Sequence, residues 1–265
     1  MDLNRYLKEL QRLSTVLKRL QAPKKPPADH VLADLLSEAI AAEEALNLGD
    51  LRPTLEQQAE DVRKRLETAL EHRRESLLIS ARDAGLAQKR FGDFDRVDLF
   101  KVSYRGKKVI LEIGSEPVVE FEAADGAQIL QSIQEQLAIL KAQPFSRDEF
   151  FRSLRSAIRL ARERGKDREG WVPVRLAYLY VALLRNLEFD DFVKKPSARS
   201  FRNYTSGQFV FDLARFGQDD WSCGDETLRA ESPNMATVSA GKAMTLPNLK
   251  EAETLGPQLA RVRIE

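Results

Sequence analysis

Leucine recurs at helical spacing through the first twenty residues of the chain. Steps of three and four residues place these side chains in one apolar stripe along a helix, bordered by lysines and arginines. Such a stripe is typical of a helix that packs on its own core, and equally of one that pairs with a second helix in a coiled coil. We predict that a protein partner, a second copy of the chain or a neighbouring helix covers the stripe. Its members are Leu3, Leu7, Leu10, Leu13, Leu17 and Leu20.

Two further helices are predicted before residue 89. Three prolines between residues 21 and 30 end the first helix, because proline lacks the amide hydrogen that a helix interior needs. The apolar spacing then predicts a helix over residues 31–46 and a longer one over residues 54–82. Opposite charges are interspersed along the longer helix, which is typical of a solvent-exposed face. Residues 1–88 are thus expected to form a helical arm, a hairpin or bundle with coiled-coil character.

Strand patterns replace helical ones after residue 90. Apolar and polar residues alternate through three segments between residues 97 and 123, and glycine or proline marks the turns between them. This predicts a three-stranded antiparallel meander, which needs a helix over one face to be stable. The apolar stripe of residues 129–140, which follows a helix-capping pattern at Asp125, supplies that helix. Residues 89–144 are therefore predicted to form an antiparallel β meander plus a helix.

The C-terminal part, residues 145–265, is predicted to be a basic helical domain. Capping patterns begin its first and third helices, and the second is a nearly all-apolar segment over residues 172–184. Two strand patterns follow, at residues 237–246 and 258–264. Three helices followed by strands that can form a hairpin is the element order of a winged-helix domain, so the fold class is α+β and mainly helical. The basic residues near the expected wing are Lys242, Arg261 and Arg263.

Arginines recur at three- and four-residue steps along the first of these C-terminal helices. Because a guanidinium group pairs with phosphate oxygens through two parallel hydrogen bonds, this side of the helix matches a nucleic-acid backbone. A basic loop with interleaved aromatic residues follows the apolar helix, and aromatic rings among cations can stack on bases. The residues predicted to contact the backbone of DNA or RNA are Arg152, Arg155, Arg159, Arg162, Lys194, Lys195, Arg199 and Arg202.

Composition narrows the classes of function. The 265 residues include 42 lysines and arginines against 41 aspartates and glutamates, so the net charge of +1 attracts no partner and only local clusters matter. A single cysteine and two distant histidines argue against a disulfide framework and against a metal site built on these residues. No apolar run reaches the ~20 residues that span a bilayer, and the N-terminus lacks the apolar core of a signal peptide. We expect a cytoplasmic protein that does not contact membranes.

Acidic residues around the meander raise the question of catalysis. A metal-dependent nuclease holds Mg²⁺ with carboxylates at roughly the positions of Asp95, Asp98 and Glu112. Such a site usually also has a lysine beside the second acid, whereas Glu112 is followed by isoleucine and glycine. No phosphate-binding loop is present either. We therefore predict no catalytic residue, no metal and no cofactor.

The function expected from these patterns is that of a non-enzymatic accessory or assembly subunit of an intracellular complex that acts on nucleic acid. Its arginine helix would contact the phosphate backbone without strong sequence choice. The first alternative is a protein-binding adaptor, in which the same arginines meet an acidic partner. The second alternative is a metal-dependent nuclease.

Overall fold

A computed structural model describes residues 3–21, 28–46, 52–164, 169–187, 204–252 and 254–265. The chain forms two compact units, Met1–Glu75 and Ser76–Glu265. Helices and antiparallel sheet occur together, which confirms the α+β class. Boundaries were expected at residues 88/89 and 144/145, whereas the division into compact units falls inside a helix, and the meander shares one hydrophobic core with the C-terminal helices.

The first unit packs α1 (Leu3–Gln21) against α2 (Asp29–Leu46) and includes the first part of α3 (Arg52–Asp83). Leu13 is buried in its core, and Leu10, Leu17 and Leu20 are partly buried against the same core. Leu7 is 50% exposed, and the side chain of Leu3 lies outside the described residues. Because α2 of the same chain packs along the leucine stripe, a second chain is not needed to cover most of it.

The second unit begins with the last turns of α3 and a five-stranded antiparallel meander with the strand order β1-β2-β3-β4-β5. The predicted meander lacked β1 and β2. Strand β1 contains only polar residues, and the polar pair Asp95 and Arg96 interrupts the apolar alternation of β2. Both are buried: Asp95 accepts a hydrogen bond from the Tyr104 hydroxyl (2.7 Å), and Arg96 donates to the carbonyl of Ala252 (3.0 Å). The strands are β1 (Gln88–Arg90), β2 (Phe94–Val97), β3 (Phe100–Arg105), β4 (Lys108–Ile113) and β5 (Glu116–Glu122).

Within the described ranges, the last turns of α3 and the helices α4 (Gly126–Ala142), α5 (Arg147–Arg164), α6 (Val174–Asn186) and α7 (Ser206–Phe216) share the core of the meander. The capping patterns of the sequence set three of their starts, as predicted. The side chains of Asp125, Ser146 and Thr205 each accept a hydrogen bond from the backbone amide three residues further on. Among the described residues, no helix combines the length and the apolar character needed to cross a bilayer.

A second antiparallel sheet has the strand order β6-β11-β8-β7 and packs on α5 and α6. The strand predicted at residues 237–246 is wrong in its first half. There the side chain of Asn234 accepts a hydrogen bond from the amide of Thr237 and caps a short helix, α8 (Met235–Ser239). The strands that follow the meander in the chain are β6 (Val172–Pro173), β7 (Ser222–Cys223), β8 (Glu226–Glu231), β9 (Met244–Pro247), β10 (Leu255–Leu259) and β11 (Arg261–Ile264).

The long connection between β8 and β11 is fastened to the meander and to α6. Arg175 of α6 donates to the carbonyls of Gly241 (2.6 Å) and Ala243 (3.1 Å) and pairs through two hydrogen bonds with Glu116 of β5, which is 3% exposed. The amide of Thr245 donates to the Ser115 hydroxyl at 3.0 Å. These contacts attach residues 241–245 of the connection to α6 and to the meander.

Candidate nucleic-acid interface

The four arginines of α5 that belong to the predicted set fall into two columns. At 3.6 residues per turn, Arg152 and Arg159 lie about 20° apart around the helix axis, and Arg155 and Arg162 form a second column about 60° to one side. The second column borders the buried face of α5, which includes Phe151. We call the first pair the outer column and the second pair the inner column.

The inner column is committed to contacts within the chain. Arg155 pairs with Glu226 of β8 at 2.7 Å, and both side chains are only about one-third exposed, at 36% and 33%. The guanidinium of Arg162 donates to the carbonyl of Gly170 (2.8 Å) and to that of Ile264 in β11 (3.4 Å). Gly170 has a φ of +76°, which favours glycine, and a Cβ there would lie 2.8 Å from this guanidinium and displace it. The inner column therefore holds α5 to the second sheet.

The outer column is exposed. Within the described residues, Arg152 and Arg159 form no hydrogen bond and no ion pair. Glu149 and Glu163 lie near the two ends of the same face, but no ion pair within 4 Å joins them to these arginines. Beside the column, Leu160 is 37% exposed. Arg152 and Arg159 are thus the two arginines of the predicted set whose guanidinium groups are available to an anion.

The outward face of the second sheet carries more arginine. Two rows of cross-strand neighbours run across this face. In one row, Arg263 of β11 lies opposite Arg229 of β8, and in the other, Arg261 of β11 lies between Pro173 of β6 and Glu231 of β8. Arg229 is bonded to Glu265 at 3.0 Å, Arg263 also pairs with Glu265, and Arg261 lies 3.7 Å from Glu231. Trp171 precedes β6, and the guanidinium of Arg263 lies over its ring at 4.6 Å.

Helix α7, which follows the predicted basic loop, does not offer a surface. All its residues from Gly207 to Phe216 are buried except Arg215. Gly207 faces the side chains of Ile113 and Val118, so β4 and β5 of the meander cover the start of the helix. A helix covered in this way cannot enter the groove of a duplex.

A buried polar network holds α7 in place. Asp212, with a side chain 4% exposed, accepts hydrogen bonds from the Tyr204 hydroxyl (2.9 Å) and from the Gln208 amide (2.8 Å). Arg185 and Arg215 approach the same carboxylate at 3.9 Å each. Burial raises the pKa of Asp212, and the two hydrogen bonds and the two arginines oppose that rise. Burial also raises the pKa of Tyr204 well above its usual value, and the charge of Asp212 adds to the effect.

The predicted basic loop lies outside the described residues except for Tyr204. Lys194, Lys195, Arg199 and Arg202 lie outside the described residues. Tyr204, one of the two aromatic residues interleaved with these cations, is 2% exposed and bonded to Asp212. Its ring is therefore not available to stack on a base.

The acids around the meander are not brought together. Asp95 is paired in register with Val102, and Glu112 with Lys101, the neighbouring position on β3. Because successive residues of a strand face opposite sides of the sheet, Asp95 and Glu112 lie on different faces. Glu112 is bonded instead to Lys101 at 2.9 Å and to Ser103 at 3.2 Å. In the part of the chain that the structure describes, no group of three or more His, Cys, Asp or Glu side chains is arranged to hold a metal ion.

Sequence reasoning missed the row formed by Trp171, Arg263 and Arg229. The alternation of arginine with apolar residues at Arg261–Ile264 is a visible period-two signal for a strand with one basic face. Nothing local shows that β6 and β8 flank this strand, because its partners lie about 90 and 30 residues earlier in the chain. Comparisons with protein-family models, with curated proteins and with solved structures each give no match for this chain.

Proposed function

We propose that this chain is a non-enzymatic accessory subunit of an intracellular complex that acts on nucleic acid, and that it contacts the phosphate backbone through the outer column of α5. The observation that carries the proposal is that Arg152 and Arg159 lie exposed on one helix face without an acidic partner among the described residues. Guanidinium groups in this state can form charge-assisted hydrogen bonds to phosphate without first breaking an ion pair.

The order of elements in the second unit supports a winged-helix-like arrangement. Helix α5 is followed by β6, then by α6 and α7, and then by β8 and β11, and these three strands pair in the order β6-β11-β8. In this interpretation the wing is the connection between β8 and β11, and α7 has the position of a recognition helix.

The burial of α7 favours backbone contact over base reading. A helix-turn-helix protein reads sequence by placing its second helix in the major groove. Here the meander covers α7, so the described basic surfaces of this unit that remain open are α5 and the second sheet. Phosphate contacts fix position and carry little sequence information, so the proposed binding tolerates changes of sequence.

Charge reversal of the outer column tests this function. We expect the double variant Arg152→Glu, Arg159→Glu to bind a labelled 20-base-pair duplex and a 20-nucleotide single strand at least tenfold more weakly than the unaltered chain at low salt. Its thermal melting should stay close to that of the unaltered chain, since neither side chain has a partner among the described residues. The measurement is fluorescence anisotropy.

The control is the double variant Arg105→Glu, Lys107→Glu, which makes the same change of net charge at the exposed end of β3 and in the turn that follows it. It should keep most of the affinity. Equal losses in the two double variants would show that only net charge matters, and would contradict a contact at the outer column.

A protein-binding adaptor is the second candidate, and one observation favours it. Leu160 is 37% exposed beside Arg159, so an apolar side chain lies next to the available guanidinium groups. An acidic protein partner with an apolar contact at its centre would match this combination. The same binding assay separates the two functions, because an adaptor shows no affinity for DNA or RNA at low salt.

A further inference from the structure

We infer that the row Trp171–Arg263–Arg229 on the second sheet is a stacking platform for an unpaired base, and that the chain therefore prefers single-stranded nucleic acid to duplex. This inference rests on the proposed function and specifies its substrate class. Its premise is geometric: an indole ring and a guanidinium group, 4.6 Å apart, lie on a sheet face beside further cations.

The platform is held in place before any ligand arrives. Arg162 donates to the carbonyl of Gly170, the residue before Trp171, and also to that of Ile264, the residue after Arg263. Both members of the stack are thus fastened to the end of α5 through their chain neighbours. Fixing them in advance reduces the conformational entropy lost on binding.

The charges around the platform suit a phosphate chain. The sheet face presents Arg229, Arg261 and Arg263 against the acids Glu231 and Glu265, and the arginine side chains are 60%, 49% and 30% exposed. Exposed ion pairs contribute little to stability, because water and salt screen them. A phosphate group can therefore replace either glutamate at small cost, while the Arg263 guanidinium stays on the indole.

The shape of the surface selects a single strand. A base must leave its helical stack to lie against an aromatic ring or the guanidinium plane stacked on it, as occurs when aromatic residues and arginines bind unpaired bases. Helix α7 is buried, so the described part of this unit has no exposed recognition helix to place in the groove of a duplex. Backbone contact at the outer column contributes to the affinity for duplex and for single strand alike, whereas stacking adds affinity only for the single strand.

The chain contains two tryptophans, Trp171 and Trp221, which makes the stack observable. In the variant Trp221→Phe, Trp171 is the sole tryptophan, and we expect (dT)20 to quench its fluorescence. In the variant Trp171→Phe, the side chain of the remaining Trp221 packs on Gly217 and Phe216 and is not a member of the row, so its fluorescence should not change. Trp171→Leu should weaken (dT)20 binding by on the order of tenfold, while Trp171→Phe keeps most of the affinity because a ring remains. Affinity for a 20-base-pair duplex should be the same in all of these variants.

The outcomes separate this inference from the proposed function. Equal affinity for duplex and single strand, with no quenching of Trp171, overturns the platform and leaves backbone contact at the outer column standing. The absence of binding to any nucleic acid at low salt overturns both. The quenching experiment leaves Trp171 unaltered, so it remains decisive even if replacing this residue disturbs folding.

Discussion

At the scale of single residues, Asp212 joins α7 to α6 and to the segment before α7. Its carboxylate is buried, and four neighbours on α6, α7 and the segment before α7 point at it: Tyr204, Gln208, Arg185 and Arg215. Burial dominates these influences and raises the pKa of Asp212. The folded state therefore holds this proton more tightly than the unfolded chain does.

The raised pKa of Asp212 makes the free energy of unfolding depend on pH. The carboxyl group contributes stability below its unfolded pKa of about 3.9, and this contribution is lost as pH rises through the raised folded pKa. The variant Asp212→Asn lacks the titration. We predict that its free energy of unfolding, relative to the unaltered chain, increases between about pH 4 and pH 7.

Urea titrations across this pH range measure the difference. The exposed Asp219→Asn is the matched control, since it removes the same charge from the chain segment just after α7. If the relative stability of Asp212→Asn falls or stays level as pH rises, the hydrogen bonds and arginines around the carboxylate outweigh the effect of burial, and the prediction is wrong.

The arginines of α5 show what sequence could and could not predict at this scale. Helical spacing predicted that Arg152, Arg155, Arg159 and Arg162 share one side of the helix, and they do. The split into two columns was not predictable, because it depends on Glu226, 71 residues away, and on the carbonyl of Ile264, 102 residues away. One consequence is practical: Arg155→Glu would place two carboxylates together at Glu226 and disturb folding, so Arg155 is a poor position for testing binding.

At the scale of elements, α3 and α4 cross at a point that only glycine permits. A Cβ at Gly126 would lie 2.1 Å from the backbone nitrogen of Leu77 and 2.5 Å from its Cα. The last turns of α3 and the first turn of α4 therefore touch backbone to backbone. This contact attaches α3 to the core of the second unit.

We predict that Gly126→Ala lowers the free energy of unfolding by about 1–3 kcal/mol or more, because backbone cannot move aside as a flexible side chain can. Gly92→Ala is the control: a Cβ there meets no atom within 4 Å, and its φ is not positive. Its effect should stay within about 0.5 kcal/mol. Equal stabilities of the two variants in urea unfolding would contradict the close crossing of α3 and α4.

The elements that sequence predicted best are those fixed by local chemistry. The capped starts of α4, α5 and α7 depend on one side chain and an amide three residues away, so they appear in the sequence itself. Strand β1 was not predicted because it contains only polar residues. Strand β2 was not predicted because its buried Asp95 and Arg96 are bonded to Tyr104 and to Ala252, and the latter is 156 residues away from Arg96. Tertiary hydrogen bonds of this kind leave no periodic pattern.

At the scale of the whole molecule, charge is balanced but unevenly distributed. The net charge is +1, while arginines collect on α5 and on the outward face of the second sheet. Most of these arginines are already bonded to a carboxylate or a carbonyl within the chain. Fewer guanidinium groups are therefore available to a polyanion than the number of arginines suggests. We therefore expect only two guanidinium groups of the predicted α5 set, those of Arg152 and Arg159, to contact phosphate.

The salt dependence of binding tests that claim most directly, because each phosphate neutralised by a cation releases counterions. The measurement is the slope of log K against log salt concentration for the unaltered chain and for the double variant Arg152→Ala, Arg159→Ala. Loss of two phosphate contacts should make the slope less steep by about 1.8 on duplex and by about 1.4 on a single strand. Identical slopes for the two proteins, or no binding of the unaltered chain at low salt, would contradict the claim.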